Sequence, residues 1–248
     1  IISGQGELHL IVSIERLKRR FGIDIELEPV KIPFRETITK RADAKYRHKK
    51  QSGGAGQFAE VWIKIEPNKS GEGIDFTQSL VGQNVDRIFV PSVEKGINIA
   101  CSEGILASCN VVDIKIDFYD GKMHPVDSKD MAFQTAGKHA FRKAFLKAQP
   151  CLLEPIINIK VKVPEEFMGD IMGDISGKRG KIIGIDSDGS FQLIKAQIPQ
   201  AELHNYSTTV RSMTGGRGLH SEVFSHYEKM PKEIEQKIIK NRAKKVDE

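Results

Sequence analysis

The sequence predicts a protein of mixed α+β class that contains more than one domain. Its 248 residues are long for a single domain. Helical periodicity and strand-like alternation of apolar and polar residues both recur along the chain, which indicates that helices and strands pack together. After about residue 152 the predicted elements form one complete βαββαβ series.

The first segment, residues 1–33, predicts one helix and one strand. Apolar residues recur at helical spacing in Glu7–Phe21, and Ile23–Leu27 alternates as a strand. Pro29 and Pro33 then break the pattern. Two elements are too few for a core of their own. We therefore expect this segment to be half of a domain, and the chain to be a fragment of a longer protein.

Residues 34–151 predict a domain in which strands and helices are interspersed. The expected strands are 58–66 and 112–118, and the expected helices are 89–106 and 128–148. Asp120-Gly121 is a turn-forming pair. Asp127 or Ser128 carries a side chain suited to capping the helix that follows.

Residues 152–230 predict a third unit whose element order is distinctive. The expected strands are 157–163, 181–185, 191–198 and 219–227, and helices follow Pro164 and precede Gly215. The order βαββαβ is that of the ferredoxin-like fold. Residues 231–248 add an amphipathic C-terminal helix and a polar tail.

Composition excludes some classes of protein and permits others. The net charge of +5 and a pI of about 9.0 describe a mildly basic chain, which is compatible with a nucleic-acid partner. Three cysteines without a C-x-x-C pair indicate reduced thiols and a cytoplasmic protein. No apolar run approaches the length of a membrane span, so we expect no membrane partner.

Two glycine-containing turns, residues 47–57 and 119–128, predict the functional site. Glycine lets a backbone approach a partner closely, and the neighbouring cations favour an anionic partner. We expect both turns to form one protruding, positive tip that contacts RNA, where His124 could bond a phosphate or ribose or stack on a base. The candidate RNA-contacting residues, including two cations at a predicted helix end, are Lys49, Lys50, Gln51, Ser52, Gly53, Gly54, Lys122, Met123, His124, Lys178 and Arg179.

The sequence predicts no catalytic site, cofactor or metal ion in this chain. Gly177-Lys178-Arg179 is the closest approach to a phosphate-binding loop, but Met172 stands where that motif needs glycine and Arg179 where it needs Ser or Thr. The seven histidines show no metal-ligand spacing. No Ser-His-Asp or Cys-His arrangement is apparent, so we expect this chain not to be an enzyme by itself.

Several sequence blocks, in chain order, resemble translation elongation factor G. They are Ile2–Leu10, Phe34–Ile38, Gln51–Phe58, Phe89–Gly96, Tyr119–Ser128, Met131–Phe133, Leu153–Ile156 and Gly169–Asp174. The resemblance covers residues 1 to about 240. It implies the end of domain III at 1–33, domain IV at 34–151 and a ferredoxin-like domain V at 152–230, followed by the helix and tail at 231–248. The implied fold of domain IV is that of the second domain of ribosomal protein S5.

The same resemblance implies the function of a ribosome-engaging part of a translational GTPase. Domain IV would enter the decoding region of the small subunit and promote translocation of the tRNA–mRNA complex. Domain V would lie near the stalk base and the sarcin–ricin loop of the large subunit. GTP and magnesium would bind in the intact parent protein, upstream of this chain. By position, His124 matches the tip histidine of domain IV, and Ser52, Gly53 and Gly54 match the other tip loop.

Departures from the family pattern leave alternatives open. Ala55 stands where many relatives carry arginine, residues 176–180 are less uniformly basic, and the C-terminal helix resembles that of paralogous second copies. One alternative is a paralogue that acts with ribosome recycling factor, and another is a relative that protects ribosomes from tetracycline. An alternative of another class is a free-standing RNA-binding module, against which the half-domain at residues 1–33 counts.

Overall fold

The computed structural model describes residues 7–25, 31–50 and 56–244. The chain divides into two compact units. The first unit comprises Phe34–Leu153 together with residues from Lys229 onward, and the second comprises residues up to Pro33 together with Glu154–Glu228. The predicted α+β class is confirmed, because each unit combines helices with strands.

The first unit is built on a four-stranded sheet. Its elements are β1 (Arg35–Ile38), β2 (Ala42–Lys50), β3 (Gln57–Pro67), β4 (Ile74–Gln78), α2 (Val90–Glu103), β5 (Ile114–Lys122), α3 (Asp130–Lys147) and α6 (Lys232–Lys244). The strand order is β2-β3-β5-β4, in which β4 runs parallel to β5 and the other pairs are antiparallel. Strand β2 is therefore an edge strand of this sheet.

The core of the first unit lies between this sheet and helices α2 and α3. Val61, Ile63 and Ile65 alternate along β3 and are almost completely buried. The inner face of α3 carries Phe133 and Phe141, which are also fully buried. Each such side chain stabilises the fold by about 1.5–3 kcal/mol through removal of apolar surface from water. The predicted strands and helices of this region are confirmed, with ends that shift by a few residues.

A buried glutamate on the short strand β1 organises a loop of the first unit. Strand β1 pairs with residues 150–153 of β6 (Pro150–Pro164), and the Glu36 side chain on β1 is 0% exposed. Its Oε2 accepts hydrogen bonds from the backbone N–H groups of Ile105 and Leu106 at 2.7 and 2.8 Å. Its Oε1 accepts from those of Ala107 and Cys109 at 2.8 and 3.0 Å. One carboxylate thus fixes the loop after α2.

The C-terminal helix α6 packs within the first unit. Its Ile238 and Ile239 contact a small cluster that contains Leu152, Ala107 and Cys109. The Arg242 guanidinium on the same helix donates to the Ala107 carbonyl at 3.1 Å. The three cysteines of the chain are free and buried, as the sequence predicts. Burial raises the pKa of the Cys101 thiol to about 12, so that thiol stays protonated.

The second unit has the predicted ferredoxin-like order. Its elements are α1 (Glu7–Phe21), the remainder of β6, α4 (Met168–Gly177), β7 (Lys181–Asp188), β8 (Phe191–Pro199), α5 (Tyr206–Met213) and β9 (Leu219–Lys229). The strands lie in the order β9-β6-β8-β7. Ile171 and Ile175 of α4 and Val210 of α5 cover one face of this sheet and are buried.

Two local predictions are wrong, for reasons that matter to the site. Asp120-Gly121 does not form a turn but continues β5, in register with Trp62 and Val61. A Cβ at position 121 would lie 2.3 Å from the Glu60 carbonyl oxygen, so glycine is needed for strand contact and not for chain reversal. Neither Asp127 nor Ser128 caps α3, because the N-cap is Lys129 and it makes no side-chain cap.

A third prediction is tested only in part. The predicted strand Ile23–Leu27 extends beyond the described residues, and its described part, residues 23–25, is irregular. Helix α1 before it is confirmed and ends at Phe21, as expected from Gly22.

Candidate functional site at the tip of the sheet

Three strand ends meet at one end of the first unit's sheet. Strand β2 ends at Lys50, opposite the start of β3 at Gln57. Strand β5 ends at Lys122, opposite Glu60 of β3, and residues 123–129 lead from there into α3. The antiparallel pairing therefore brings together the described parts of the two segments 47–57 and 119–128, which lie far apart in sequence. We call this end of the sheet, with residues 47–50, 56–58 and 122–129, the tip.

Hydrogen bonds across the strand ends hold the two halves of the tip together. The Phe58 backbone N–H donates to the Asp127 carbonyl oxygen at 2.9 Å. The Ser128 hydroxyl donates to the Phe58 carbonyl oxygen at 2.8 Å and accepts the His124 backbone N–H at 2.8 Å. Because the hydroxyl bridges the two segments, it is not available to cap α3. The tip is thus cross-linked at its base.

Gly56 allows the close approach of the two segments. The nearest side chain is the carboxylate of Asp127, whose Cγ would lie 2.8 Å from a Cβ built at position 56. Contacts that short do not occur between ordinary side chains, so any larger residue would displace the carboxylate. The sequence signals this glycine only as part of a glycine-rich run, and Asp127 only as a helix cap.

The imidazole of His124 is held by its own loop. Its Nδ1 accepts the backbone N–H groups of Asp127 at 3.2 Å and Val126 at 3.4 Å. Asp127 Oδ2 also lies 3.5 Å from Nδ1, but the two N–H donors favour the neutral tautomer that carries its proton on Nε2. The ring packs edge-on to Phe58, with centroids 6.3 Å apart, and the side chain is 51% exposed. His124 therefore presents a hydrogen-bond donor to a partner outside the chain.

A small cleft joins this histidine to the basic end of β2. The cleft has a volume of about 270 Å³ and is lined by Lys49, Lys50, Gly56, Gln57, Phe58, His124 and Asp127. The structure gives Lys49 and Lys50 no ion-pair partner among the described residues. The predicted neighbourhood of Lys49, Lys50 and His124 is thus present in the structure, with Asp127 as its one acidic member.

The preceding cation of β2 is engaged differently. Arg47 Nε donates to the buried Glu60 carboxylate at 2.5 Å, and the Trp62 indole N–H donates to the same carboxylate at 2.8 Å. Burial alone would raise the pKa of Glu60, but the hydrogen bonds from Arg47 and Trp62 and the charges of Arg47 and Lys122 lower it. Arg47 is therefore paired within the sheet. Lys49 and Lys50, further along the strand, have no such partner among the described residues and are open to an external one.

Lys122 and Met123 form the other rim of the tip. Lys122 is exposed at the end of β5, and Met123 is 37% exposed. The Met123 sulfur accepts the Asp86 backbone N–H at 3.4 Å, and its own N–H donates to the Asn84 carbonyl oxygen at 3.2 Å. The loop that contains Asn84 and Asp86 thus supports the tip. Sequence reasoning missed it, since nothing in its composition links it to residues 37 positions later.

Four of the predicted site residues, Gln51, Ser52, Gly53 and Gly54, lie outside the described residues. Their proposed contacts with RNA stay predictions. So does the effect of Ala55, which falls in the same stretch.

The two cations predicted at the end of a helix in the second unit are half-buried and paired, not exposed. Lys178 forms an ion pair with Asp174, one helical turn earlier. Arg179 donates to both oxygens of the buried Glu154 carboxylate at 2.7 and 3.0 Å, and to Glu202 at 3.1 Å. Both cations are therefore neutralised by carboxylates of the protein itself. Contact of Lys178 and Arg179 with RNA stays a prediction, and it is separate from the prediction for the tip.

Residues 7–25, 31–50 and 56–244 contain neither a metal-binding cluster nor a membrane-spanning helix. Within those residues, no group of three or more His, Cys, Asp and Glu side chains is placed to hold a metal ion. No helix there has both the length and the apolar character needed to cross a membrane.

Comparison with known proteins agrees with the resemblance seen in the sequence. Residues 30–149 match the family model described as elongation factor G, domain IV, and residues 151–238 match the one described as elongation factor G C-terminus. A crystal structure from Thermus thermophilus is similar, with a TM-score of 0.86 and 38% sequence identity. That similarity covers 97% of this chain and 36% of the Thermus chain. The chain therefore belongs to the elongation factor G family and carries domain IV of that family, followed by its ferredoxin-like C-terminal domain.

Proposed function

We propose that this chain is the ribosome-engaging part of a translational GTPase, and that its tip enters the small-subunit decoding region to promote tRNA–mRNA translocation. One observation carries the proposal. The tip is cross-linked at its base by Phe58, Asp127 and Ser128, and it presents Lys49, Lys50 and His124 outward. A rigid projection with donors and cations at its end is suited to contact RNA without rearranging first.

The proposed mechanism is steric and electrostatic. Cations at the tip pair with RNA phosphates and fix the position of the unit, which is what phosphate contacts do in nucleic-acid complexes. A lobe held in a tRNA site blocks the return of the tRNA. The tip thereby biases the population between two states of the ribosome, and it makes or breaks no covalent bond.

The remaining parts of the proposal follow the family resemblance. The second unit would lie near the stalk base and the sarcin–ricin loop of the large subunit. GTP and magnesium would be bound, and GTP hydrolysed, in the part of the parent protein that this chain does not include, in the cytoplasm. The chain spans 36% of the length of the Thermus relative, which leaves ample sequence for such a domain.

The test compares translocation with GTP hydrolysis in the intact parent protein. His124→Ala removes the outward donor, and loss of one hydrogen bond to a charged group costs about 1.5–3 kcal/mol. We expect single-turnover translocation to slow by about 10- to 100-fold, with multiple-turnover GTP hydrolysis on ribosomes nearly unchanged. His204→Ala, which removes another exposed histidine, is the matched control.

Two results would contradict the proposal. Equal losses of translocation and GTP hydrolysis would show that His124 acts on the GTPase step or on the fold. Slow translocation by the unmutated parent, together with ribosome splitting in the presence of recycling factor, would assign the chain to a recycling paralogue.

A further inference from the structure

Helix α3 lies along the edge strand β2 and runs in the opposite direction, so the start of the helix and the end of the strand both lie near the tip. Lys147 Nζ is 3.5 Å from the Asp43 carbonyl oxygen near the start of β2. One turn closer to the tip, Lys143 Nζ is 4.9 Å from the centre of the Tyr46 ring. One turn further, the His139 ring stacks on the same tyrosine at 4.8 Å. Residues four apart on a helix share one face, so these three side chains form a line.

This line continues into the basic end of β2. Side chains alternate along a strand, so His48 and Lys50 share the face of Tyr46 and Lys49 lies on the other face; Lys49 and Lys50 both line the tip cleft. From Asp43 to Lys50 the strand advances by about 23 Å, at roughly 3.3 Å per residue. We call the set His48, His139, Lys143 and Lys147 the basic row, which leads to Lys50 at the tip.

Within the described part of the chain, the lysines of the basic row have no counter-ion, unlike the neighbouring cations. On the other side of α3, Lys138 and Arg142 both pair with Glu103. Among the described residues the structure gives no ion-pair partner to Lys143 or Lys147, as it gives none to Lys49 or Lys50. A solvated surface would mix both signs of charge, whereas α3 carries no acidic side chain between Lys138 and Lys147.

The electrostatic surroundings of His139 are consistent with this positive charge. Its pKa is lowered, first by burial and then by the positive charges of Arg142, Lys138, His48 and Lys143. Two of those four groups, His48 and Lys143, belong to the basic row, so the row itself disfavours a further positive charge at His139. The phenol ring of Tyr46 is already in contact with His139 and Lys143. It offers little surface on which an unstacked base could lie.

A surface of spaced cations without a stacking platform fits the backbone of a duplex better than the bases of a single strand. We infer that the basic row binds the phosphate backbone of double-helical RNA, so that the RNA engaged at the tip extends along the side of the domain. This inference rests on the proposed function insofar as the tip itself contacts RNA. It adds a second contact surface, on α3. At roughly 3.3 Å per residue of β2, this surface reaches about 20 Å from the tip.

The experiment measures binding of this chain to an RNA duplex of about 16 base pairs, the length that a compact duplex-binding domain spans. Fluorescence anisotropy at several KCl concentrations gives the affinity and its salt dependence. The variant is Lys143→Ala/Lys147→Ala. Lys237→Ala/Lys240→Ala removes two exposed lysines from α6 and is the matched control for net charge. Lys143→Arg/Lys147→Arg keeps the charge and controls for misfolding.

We expect the double alanine variant to bind more weakly and with a shallower salt dependence. Each phosphate contact contributes about 0.7–0.9 to the slope of log K against log salt, so two lost contacts reduce it by about 1.4–1.8. The arginine variant and the α6 variant should keep the slope of the unmutated chain. A single-stranded RNA of the same sequence should bind more weakly than the duplex.

Lys49→Ala/Lys50→Ala separates this inference from the proposed function. If that pair alone reduces the slope, the RNA contact ends at the tip and the basic row does not bind RNA. If neither pair changes the slope, both the inference and the tip's RNA contact fail. Weaker ribosome binding by Lys143→Ala/Lys147→Ala with unchanged duplex binding would assign the row to an acidic protein and overturn the inference.

Discussion

Substitution of Glu36 tests how much its buried carboxylate contributes to the stability of the first unit. Glu36→Gln keeps the size of the side chain but replaces one accepting oxygen with an NH₂ group. Four backbone N–H groups converge on the two oxygens at 2.7–3.0 Å, two on each. In the variant, two of those donors lose their acceptor and face another donor.

The expected loss of stability follows from those two donors. A buried donor without a partner costs about 1–3 kcal/mol, so two cost about 2–6 kcal/mol. Removal of a buried charge recovers part of that cost, because desolvation of a carboxylate is unfavourable. We therefore expect Glu36→Gln to lower the free energy of unfolding by about 2–4 kcal/mol, a large share of the stability of an ordinary domain.

Urea denaturation followed by tryptophan fluorescence measures this change. Trp62 is the single tryptophan of the chain and lies in the first unit, so its signal reports the unit that contains Glu36. Glu103→Gln is the matched control, since Glu103 is an exposed partner of Lys138 and Arg142 and should change stability by less than about 1 kcal/mol. A loss for Glu36→Gln no greater than that of the control would refute the account of the loop.

Two further predictions concern the tip and the basic row. Gly56→Ala should displace the Asp127 carboxylate at a cost of about 0.5–1.5 kcal/mol and shift the imidazole NMR signals of His124, whereas Gly173→Ala in open space should shift none. Unchanged His124 signals would contradict the proposed close packing. In the folded protein the pKa of His139 is below its ordinary value of 6.5, so His139 binds a proton more tightly in the unfolded chain than in the folded one. The free energy of unfolding therefore falls as the pH drops through and below 6.5. His139→Gln should flatten the stability profile between about pH 7 and 5, and an equally steep profile would show that other groups cause it.

The sequence was informative where one face of an element is buried and the other is not. Alternation in β3 and β5 and helical periodicity in α2 and α3 follow directly from that asymmetry, and the structure confirms all four elements. The βαββαβ order of the second unit was equally accessible, because each element is long and separated from the next by a turn. The family resemblance, carried by several blocks together, is confirmed by the two family matches.

The sequence was misleading where a residue type has two uses. Asp120-Gly121 is a common turn pair, yet here its glycine admits the backbone of β3 and the chain continues straight. Ser128 is a common cap, yet its hydroxyl reaches Phe58 on a neighbouring strand. Lys178 and Arg179 follow a helix and resemble exposed cations in the sequence. The pairing of Arg179 with Glu154 is not visible there, because Glu154 lies 25 positions earlier.

By itself, the sequence determined the family, the order of elements and the residue types at the two turns that form the tip. Only the tertiary structure decided which of those residues act together. It packed Gly56 against the Asp127 side chain and left Lys49 and Lys50 without counter-ions among the residues it describes. It also aligned Lys143 and Lys147 along β2. The physical reason is that local periodicity depends on near neighbours in the chain, whereas charge compensation and close backbone approach depend on strand pairing between distant segments.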